Sequence, residues 1–308
     1  MAAKRLHSDE VSIDVELVRN LLAEQFPNWA YLPVTAVRST GTVNAIYRLG
    51  DDKYVRLPRL KDWADCLQKE LLWLPKVAPQ ISLAIPEPLA AGLPGSGYPF
   101  AWAVYRWIAG RTLDGRSRCS DLQVAEILAG FIKQVRQVNL AGAPRSSRDR
   151  PLRLRDTEAR QAIAAARGML DADAATSAWE LALQAPEWDK RPFWTHGDLL
   201  PPNLLWEQGR LKAVIDFGNM GIGDPAVDVI PAWTMFGEAA REHFRQVLEV
   251  DKATWARSRG FALHQALLII PYYHKTNPQF AAMAIRTVKE IQGDLGQFSS
   301  VMQTHPEF

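Results

Sequence analysis

The sequence predicts an α+β fold with two lobes: a smaller N-terminal lobe with an antiparallel sheet and a helix, and a larger, mostly helical C-terminal lobe. At 308 residues the chain exceeds the usual size of a single hydrophobic core, which favours two lobes. Short apolar strands with turn residues between them fill the first third, and segments of helical periodicity dominate the rest. We place the N-terminal lobe at 1–108 and the C-terminal lobe at 109–308.

The N-terminal lobe should begin with an amphipathic helix that has Asp14 as its N-cap. A later helix is expected to end near Pro75, because proline interrupts helical hydrogen bonding. Ala109 and Gly110 form a natural hinge after the last strand. The predicted elements are helices over 14–26 and 62–74 and strands over 34–38, 45–49, 53–57 and 101–108.

The C-terminal lobe is predicted to be helical except for a short β-rich segment over 193–217. That segment contains two apolar strands, 203–206 and 211–215, around a glycine-containing turn. The predicted helices cover 122–138, 157–170, 174–184, 238–248 and 255–270.

The composition excludes several classes of protein. Lys and Arg number 36 against 34 Asp and Glu, and this balance argues against nucleic acid as a partner. The two cysteines, Cys66 and Cys119, lie in no metal-binding spacing and are too few for a disulfide scaffold. The N-terminus has no apolar leader, and no apolar run approaches the ~20 residues that span a bilayer. We therefore expect a cytoplasmic protein without a membrane partner, as a monomer or dimer.

Two acidic residues and one amide are predicted to carry the chemistry. Asp198 and Asn203 share a loop rich in glycine and proline, and Asp216 follows the apolar strand after it. Phosphoryl transfer needs such a set, because metal must neutralise the phosphate charge while a carboxylate accepts or orients the proton of the attacking hydroxyl. Asp198 is the candidate base, and Asn203 and Asp216 are candidate Mg²⁺ ligands through oxygen.

The motifs 196–198 with Asn203, and 215–218 around Asp216, together resemble the aminoglycoside phosphotransferase family of kinase-like enzymes, which includes macrolide phosphotransferases. The stretch 223–228 looks like the helix entry that follows the metal-binding Asp in that family. The resemblance implies a protein-kinase-like fold, Mg²⁺, ATP or GTP as co-substrate and a small-molecule hydroxyl as acceptor. It also implies structural roles within the site for His196, Asp224 and Asp228.

The kinase-like resemblance further implies a nucleotide-binding N-terminal lobe. Its phosphate cation would be Arg56, where the usual residue is lysine, although Arg59 in the same strand is also eligible. Glu70 on the following helix would pair with this cation. The residues expected to bind nucleotide are Ser39, Gly41 and Thr42 in a phosphate-covering hairpin, Arg56, Glu70, and Tyr105 and Trp107 at the hinge.

The acceptor is left open by the sequence. Helices after Asp228 supply both acidic residues, which suit a polycationic aminoglycoside, and aromatic residues, which suit a macrolide. An arginine at position 56 in place of lysine resembles the macrolide phosphotransferases, whereas Asn203 fits the loop of the aminoglycoside enzymes better. An aminoglycoside-type antibiotic is the first expectation. Alternatives are a macrolide 2'-phosphotransferase, a metabolic kinase of choline, homoserine or sugars, a catalytically silent nucleotide-binding module, and an unrelated helical protein.

Overall fold

The structure is a computed structural model that describes residues 10–37, 43–112, 122–189 and 191–304, with side chains described to residue 295. The chain divides into two compact units. Unit 1 comprises Met1–Arg111 and Lys212–Asn219, and unit 2 comprises Thr112–Leu211 and Met220–Phe308. Unit 1 thus contains 212–219, which the sequence placed in the C-terminal lobe, and the lobe boundary at 108 stays a prediction.

Unit 1 combines two helices with an antiparallel sheet. Its elements are α1 (Val15–Gln25), β1 (Val34–Ala36), β2 (Asn44–Leu49), β3 (Lys53–Pro58), α2 (Lys61–Val77), β4 (Pro88–Gly92) and β5 (Trp102–Arg106). The five strands pair in the order β1-β2-β3-β5-β4. Helix α1 buries Val18, Leu21 and Leu22 in the core that the sheet shares, and α2 packs against β3, β4 and β5. Strand β3 is therefore central and covered by α2.

The helix ends in unit 1 test two of the sequence predictions. Asp14 caps α1 as predicted, and its Oδ1 accepts from the Leu17 N–H at 2.9 Å. Helix α2 passes through Pro75 and ends at Val77, two residues beyond the proline near which its end was predicted. Proline is tolerated there because it lies in the last turn, where few further hydrogen bonds depend on it.

Unit 2 is mostly helical. The elements from the end of unit 1 onward are β6 (Arg111–Thr112), α3 (Leu122–Gln137), α4 (Asp156–Ala165), α5 (Ala172–Leu183), β7 (Phe193–Thr195), β8 (Leu204–Glu207), β9 (Arg210–Val214), β10 (Gly221–Gly223), α6 (Pro231–Thr234), α7 (Glu238–Leu248), α8 (Lys252–Tyr273) and α9 (Pro278–Thr304). Strands β6 and β9 straddle unit boundaries. Helix α8 is the centre of unit 2, because α4, α5, α6 and α9 all pack against it. In the described part of the chain, no helix is long and apolar enough to cross a membrane.

In unit 2 the structure departs from the sequence prediction at α4, at β8 and at α9. Helix α4 ends at Ala165 rather than at 170, since Gly168 adopts a positive φ of 83° in the following turn. Strand β8 begins at Leu204, because Asn203 closes the 3-10 turn Pro201–Asn203. Helix α9 was not predicted at all.

Candidate active site

The loop before Asp198 is shaped by one buried carboxylate in unit 2. Strand β7 pairs antiparallel with β10 and leads into His196 and Gly197, whose φ is +81°. The two oxygens of Asp228 accept the N–H groups of His196 and Gly197, each at 2.8 Å. His196 Nδ1 in turn accepts the Asp198 N–H at 3.1 Å. Backbone hydrogen bonds therefore fix the path of the chain up to Asp198.

Asp228 is 1% exposed, so its carboxylate is shielded from solvent. Burial raises the pKa of Asp228, and His196 together with the two backbone N–H groups opposes that rise. Asp224 has a comparable structural position: it caps the 3-10 turn Pro225–Asp228 through the Ala226 N–H at 2.9 Å and pairs with buried Arg257 at 2.7 Å. Both contacts agree with the structural roles proposed for these aspartates.

Asp198 and Asn203 meet at the end of this loop. Asn203 Nδ2 donates to the backbone oxygen of Asp198 at 2.9 Å and to its Oδ2 at 3.0 Å. The turn that brings Asn203 back is closed by its own N–H, which bonds to the Leu200 carbonyl at 2.9 Å. Because Nδ2 is directed at Asp198, the Oδ1 atom of Asn203 is the one that can serve a metal.

Two side chains from elsewhere in unit 2 also approach Asp198. Gln265 Nε2 on α8 donates to Asp198 Oδ1 at 2.6 Å, and Arg148 Nη2 lies 3.8 Å from the same oxygen. The Asp198 side chain remains 15% exposed. Neither Gln265 nor Arg148 belongs to a sequence motif, and no signal in the sequence pairs them with Asp198.

Asp216 lies in unit 1, two residues after the end of strand β9. Its φ of +64° is left-handed, a conformation that aspartate adopts more readily than most non-glycine residues. The 3-10 turn Phe217–Asn219 after it packs against α2. The carboxylate is 44% exposed and its Oδ1 lies 3.4 Å from Arg56 Nη2. Asp216 is thus directed toward the cation of β3 while keeping an exposed carboxylate.

Arg56 is buried in unit 1 between two carboxylates. Its Nη1 donates to Glu70 Oε2 at 2.6 Å. With the Asn44 amide oriented to satisfy both groups, Asn44 Oδ1 accepts from Arg56 Nε and Nη2 at 3.0 Å. Burial opposes the charge of Arg56, but Glu70 and Asp216 outweigh it and raise the pKa of the guanidinium. The alternation of β3 thus directs Arg56 inward, and Asn44 is a partner that the sequence analysis missed.

Glu70 is fully buried on α2. Burial raises the pKa of Glu70 to about 7, and Asp216 adds to this, although Arg56 and the Tyr105 hydroxyl at 3.4 Å act against it. The ion pair predicted between Arg56 and Glu70 is present, and Glu70 lies near the boundary between its two protonation states at neutral pH.

The two residues predicted to lie at the hinge differ in their contacts. Tyr105 is buried in β5 and stacks on Tyr54 with ring centroids 5.2 Å apart. The Trp107 N–H donates to the Asp52 carbonyl at 2.7 Å, and its ring lies 4.1 Å from the Arg48 guanidinium. A nucleotide base would therefore have to use groups of Trp107 other than this N–H. The predicted hairpin residues Ser39, Gly41 and Thr42 lie outside the described residues.

The predicted magnesium ligands fit the ion in kind. Mg²⁺ is usually held by one or two protein carboxylates, with water and substrate phosphates completing its octahedron. Asn203 can offer Oδ1, and Asp216 offers an exposed carboxylate. These residues belong to different units, Asn203 to unit 2 and Asp216 to unit 1.

The α+β fold, with its antiparallel sheet and helical remainder, is of the protein-kinase-like class. The family described as "Phosphotransferase enzyme family" matches residues 35–261, and the chain belongs to this family. An aminoglycoside 3'-phosphotransferase of Escherichia coli is 30% identical over 128 residues, which is 39% of this chain and 45% of the relative. The aligned part of the chain thus spans less than half the length of that relative.

Solved structures show the same fold at low sequence identity. Aminoglycoside 2'-phosphotransferase-IIIa has a TM-score of 0.71 at 19% identity, covering 92% of this chain and 99% of its own. A macrolide 2'-phosphotransferase from Brachybacterium faecium has a TM-score of 0.58 at 20% identity, covering 89% and 97%. The predicted fold class and family resemblance are confirmed, and an unrelated helical protein is excluded.

Proposed function

We propose that this chain is a Mg²⁺-dependent phosphotransferase that moves the γ-phosphate of ATP or GTP to a hydroxyl group of a small molecule. The first candidate acceptor is an aminoglycoside-type antibiotic. The observation that supports this most is the double hydrogen bond from Asn203 Nδ2 to Asp198, which fixes a partly exposed carboxylate beside an amide oxygen suited to a metal. The cytoplasm, which contains both nucleotides, remains the proposed location.

Asp198 has the role of catalytic base in this proposal. Its backbone is fixed through His196 and Asp228, and its carboxylate receives hydrogen bonds on both oxygens. A carboxylate held in this way can orient an acceptor hydroxyl and take its proton as the phosphate transfers. The structural positions of Asp228 and Asp224 serve to keep this loop in place.

The metal would be held by Asn203 Oδ1 and the Asp216 carboxylate. When bound, Mg²⁺ supplies positive charge that offsets the negative charge of the transferring phosphoryl group. Arg56, fixed by Glu70, adds a permanent cation for the nucleotide phosphates. Ser39, Gly41 and Thr42 over the phosphates, and Tyr105 and Trp107 beside the base, remain proposed nucleotide-binding residues.

The relatives support an antibiotic acceptor. The aligned Escherichia coli relative is named as an aminoglycoside 3'-phosphotransferase, and one solved structure of similar fold is a complex with GDP and kanamycin. A macrolide is the second candidate, because Arg56 in place of lysine resembles macrolide phosphotransferases and two of these share the fold. A small-alcohol kinase and a silent nucleotide-binding module are further alternatives.

The decisive experiment measures transfer of labelled γ-phosphate from ATP and from GTP to a panel of aminoglycosides, macrolides, choline, homoserine and sugars. Each reaction is run with Mg²⁺ and with excess chelator, and Asp198→Asn is the control for catalysis at this site. We expect a labelled acceptor that requires both Mg²⁺ and Asp198. Thermal stabilisation by nucleotide without transfer to any acceptor would favour the silent module instead.

A further inference from the structure

A glutamine of α8 makes a short hydrogen bond to the proposed base. Gln265 Nε2 lies 2.6 Å from Asp198 Oδ1, across 67 positions of sequence, while Asn203 Nδ2 binds the other carboxylate oxygen at 3.0 Å. Two neutral amide donors thus hold the carboxylate from two sides. Such contacts restrict the rotation of the carboxylate without adding a charge beside it.

The position of Gln265 depends on its buried neighbour His264, which is 2% exposed. Burial, together with Arg155, lowers the pKa of His264 to about 4, so the imidazole is neutral at physiological pH. Arg155 Nη1 can only donate, at 3.5 Å, so His264 Nδ1 accepts; Nε2 then donates to Glu158 at 3.1 Å. This pair of contacts fixes the turn of α8 that carries Gln265.

Arg155 also binds the backbone of the loop that carries Arg148, whose side chain approaches Asp198. Its Nη2 donates to the Arg148 carbonyl at 2.6 Å and its Nε to the Arg150 carbonyl at 2.9 Å. Arg148 in turn places Nη2 at 3.8 Å from Asp198 Oδ1. The buried guanidinium of Arg155 therefore connects the α8 side and the loop side of the base.

We propose that Gln265 is a positioning residue that orients the Asp198 carboxylate for phosphoryl transfer, with Arg155 keeping α8 and the loop of Arg148 in register around it. This inference rests on the proposed function. A misoriented base lowers the rate of the chemical step but does not remove nucleotide-binding groups. Replacing Gln265 should therefore lower kcat and leave the KM for nucleotide nearly unchanged.

The test compares Gln265→Met, which keeps the volume but loses the donor, with Gln265→Glu, which puts a second carboxylate against Asp198. A hydrogen bond to a charged group is worth about tenfold to hundredfold in rate. We expect kcat to fall by about that factor in Q265M and further in Q265E, with nucleotide KM within about twofold. Gln246→Met, on the exposed surface of α7, is the matched control and should behave as wild type.

Two further measurements separate positioning from a structural role. In the Asp198→Asn background, Q265M should lower the residual rate no further, because the group that it orients is gone. In the NMR spectrum, the side-chain amide of Gln265 should shift on Asp198→Asn, a readout that needs no turnover. Wild-type kcat in Q265M, an additive loss in the double variant, or an unmoved amide signal would each overturn the proposal. If the wild type transfers no phosphate at all, the proposed function fails and the positioning role with it, while the NMR signal still decides the contact.

Discussion

Arg56 of β3 and Glu70 of α2 form an ion pair at 2.6 Å in which the two side chains are 8% and 0% exposed. Taking both charges out of water is costly, and only the short contact and the surrounding partners compensate for it. One of these partners is Asp216, whose carboxylate lies 3.4 Å from the other terminal nitrogen of the guanidinium. The pair thus joins the sheet, the covering helix and the segment after β9 within unit 1.

Arg56→Met should lower the free energy of unfolding by roughly 3–5 kcal/mol, because it leaves Glu70 buried without its partner. Arg56→Lys should cost less, since it keeps the charge but loses the guanidinium contacts to Asn44. Urea denaturation measures both changes. The exposed pair of Arg106 and Glu87 provides the control: Arg106→Met should leave the free energy of unfolding nearly unchanged. An equal effect at the two sites would contradict the account of the buried pair.

Glu70 should make unit 1 less stable as the pH rises from 4.5 to 7. Its pKa in the folded protein, about 7, lies above the ordinary 4.5, so the folded state keeps the proton longer. Stability from the protonated carboxyl is fully present below about pH 4.5 and is lost as the pH approaches 7, by up to about 3 kcal/mol. The free energy of unfolding of wild type and Glu70→Gln, measured across this range, should diverge. Curves for wild type and Glu70→Gln that stay parallel across this range would disprove the shift.

Asp228→Asn should loosen the loop that carries Asp198. The amide can accept only one of the two backbone N–H groups that the carboxylate accepts now, and its NH₂ would face a donor. We expect a loss of roughly 2–4 kcal/mol in the free energy of unfolding together with a fall in kcat. Asp173→Asn, at an exposed position of α5, is the comparison and should leave both quantities nearly unchanged. Full activity in Asp228→Asn would show that the loop does not depend on this carboxylate.

Asp198→Asn and Asp216→Ala should affect different quantities, the first kcat and the second nucleotide binding. The first removes the base and should lower kcat by about 10²–10⁴-fold with nearly unchanged nucleotide affinity. The second removes a metal ligand and should weaken nucleotide binding in the presence of Mg²⁺. Calorimetric titration with each nucleotide, with and without Mg²⁺, distinguishes the two results. A wild-type titration curve for Asp216→Ala would refute its role as a ligand.

The sequence predicted the parts of the site that lie within single motifs. Asp198, Asn203 and Asp228 meet through a loop and a short sheet, and their spacing along the chain was informative. Arg56 and Glu70 were predictable because the kinase-like resemblance implies a cation on this strand paired with a carboxylate on the next helix, although Arg59 was also eligible. Gln265 and Asn44 were not, since their contacts depend on how helices and strands pack in three dimensions.

The errors in secondary structure have local causes. Proline was interpreted as a helix breaker at Pro75, which lies in the last turn of α2, and Pro278 begins α9, a helix for which the sequence analysis made no prediction. A proline at the first position of a helix costs nothing, because the N–H that it lacks would have no partner there. Gly293 within α9 weakens the helical signal further. Packing against α8, which the sequence does not display, compensates for these residues.

The discontinuous make-up of unit 1 limits how this protein can be taken apart. A fragment that ends at Arg111 would lack Asp216 and the backbone of 212–214. That backbone forms two hydrogen bonds with Ala84: the Ala84 N–H donates to the Lys212 carbonyl, and the Val214 N–H donates to the Ala84 carbonyl. No single cut therefore yields an intact first unit. Exchange of this first unit between relatives would have to graft two separate stretches of polypeptide at once.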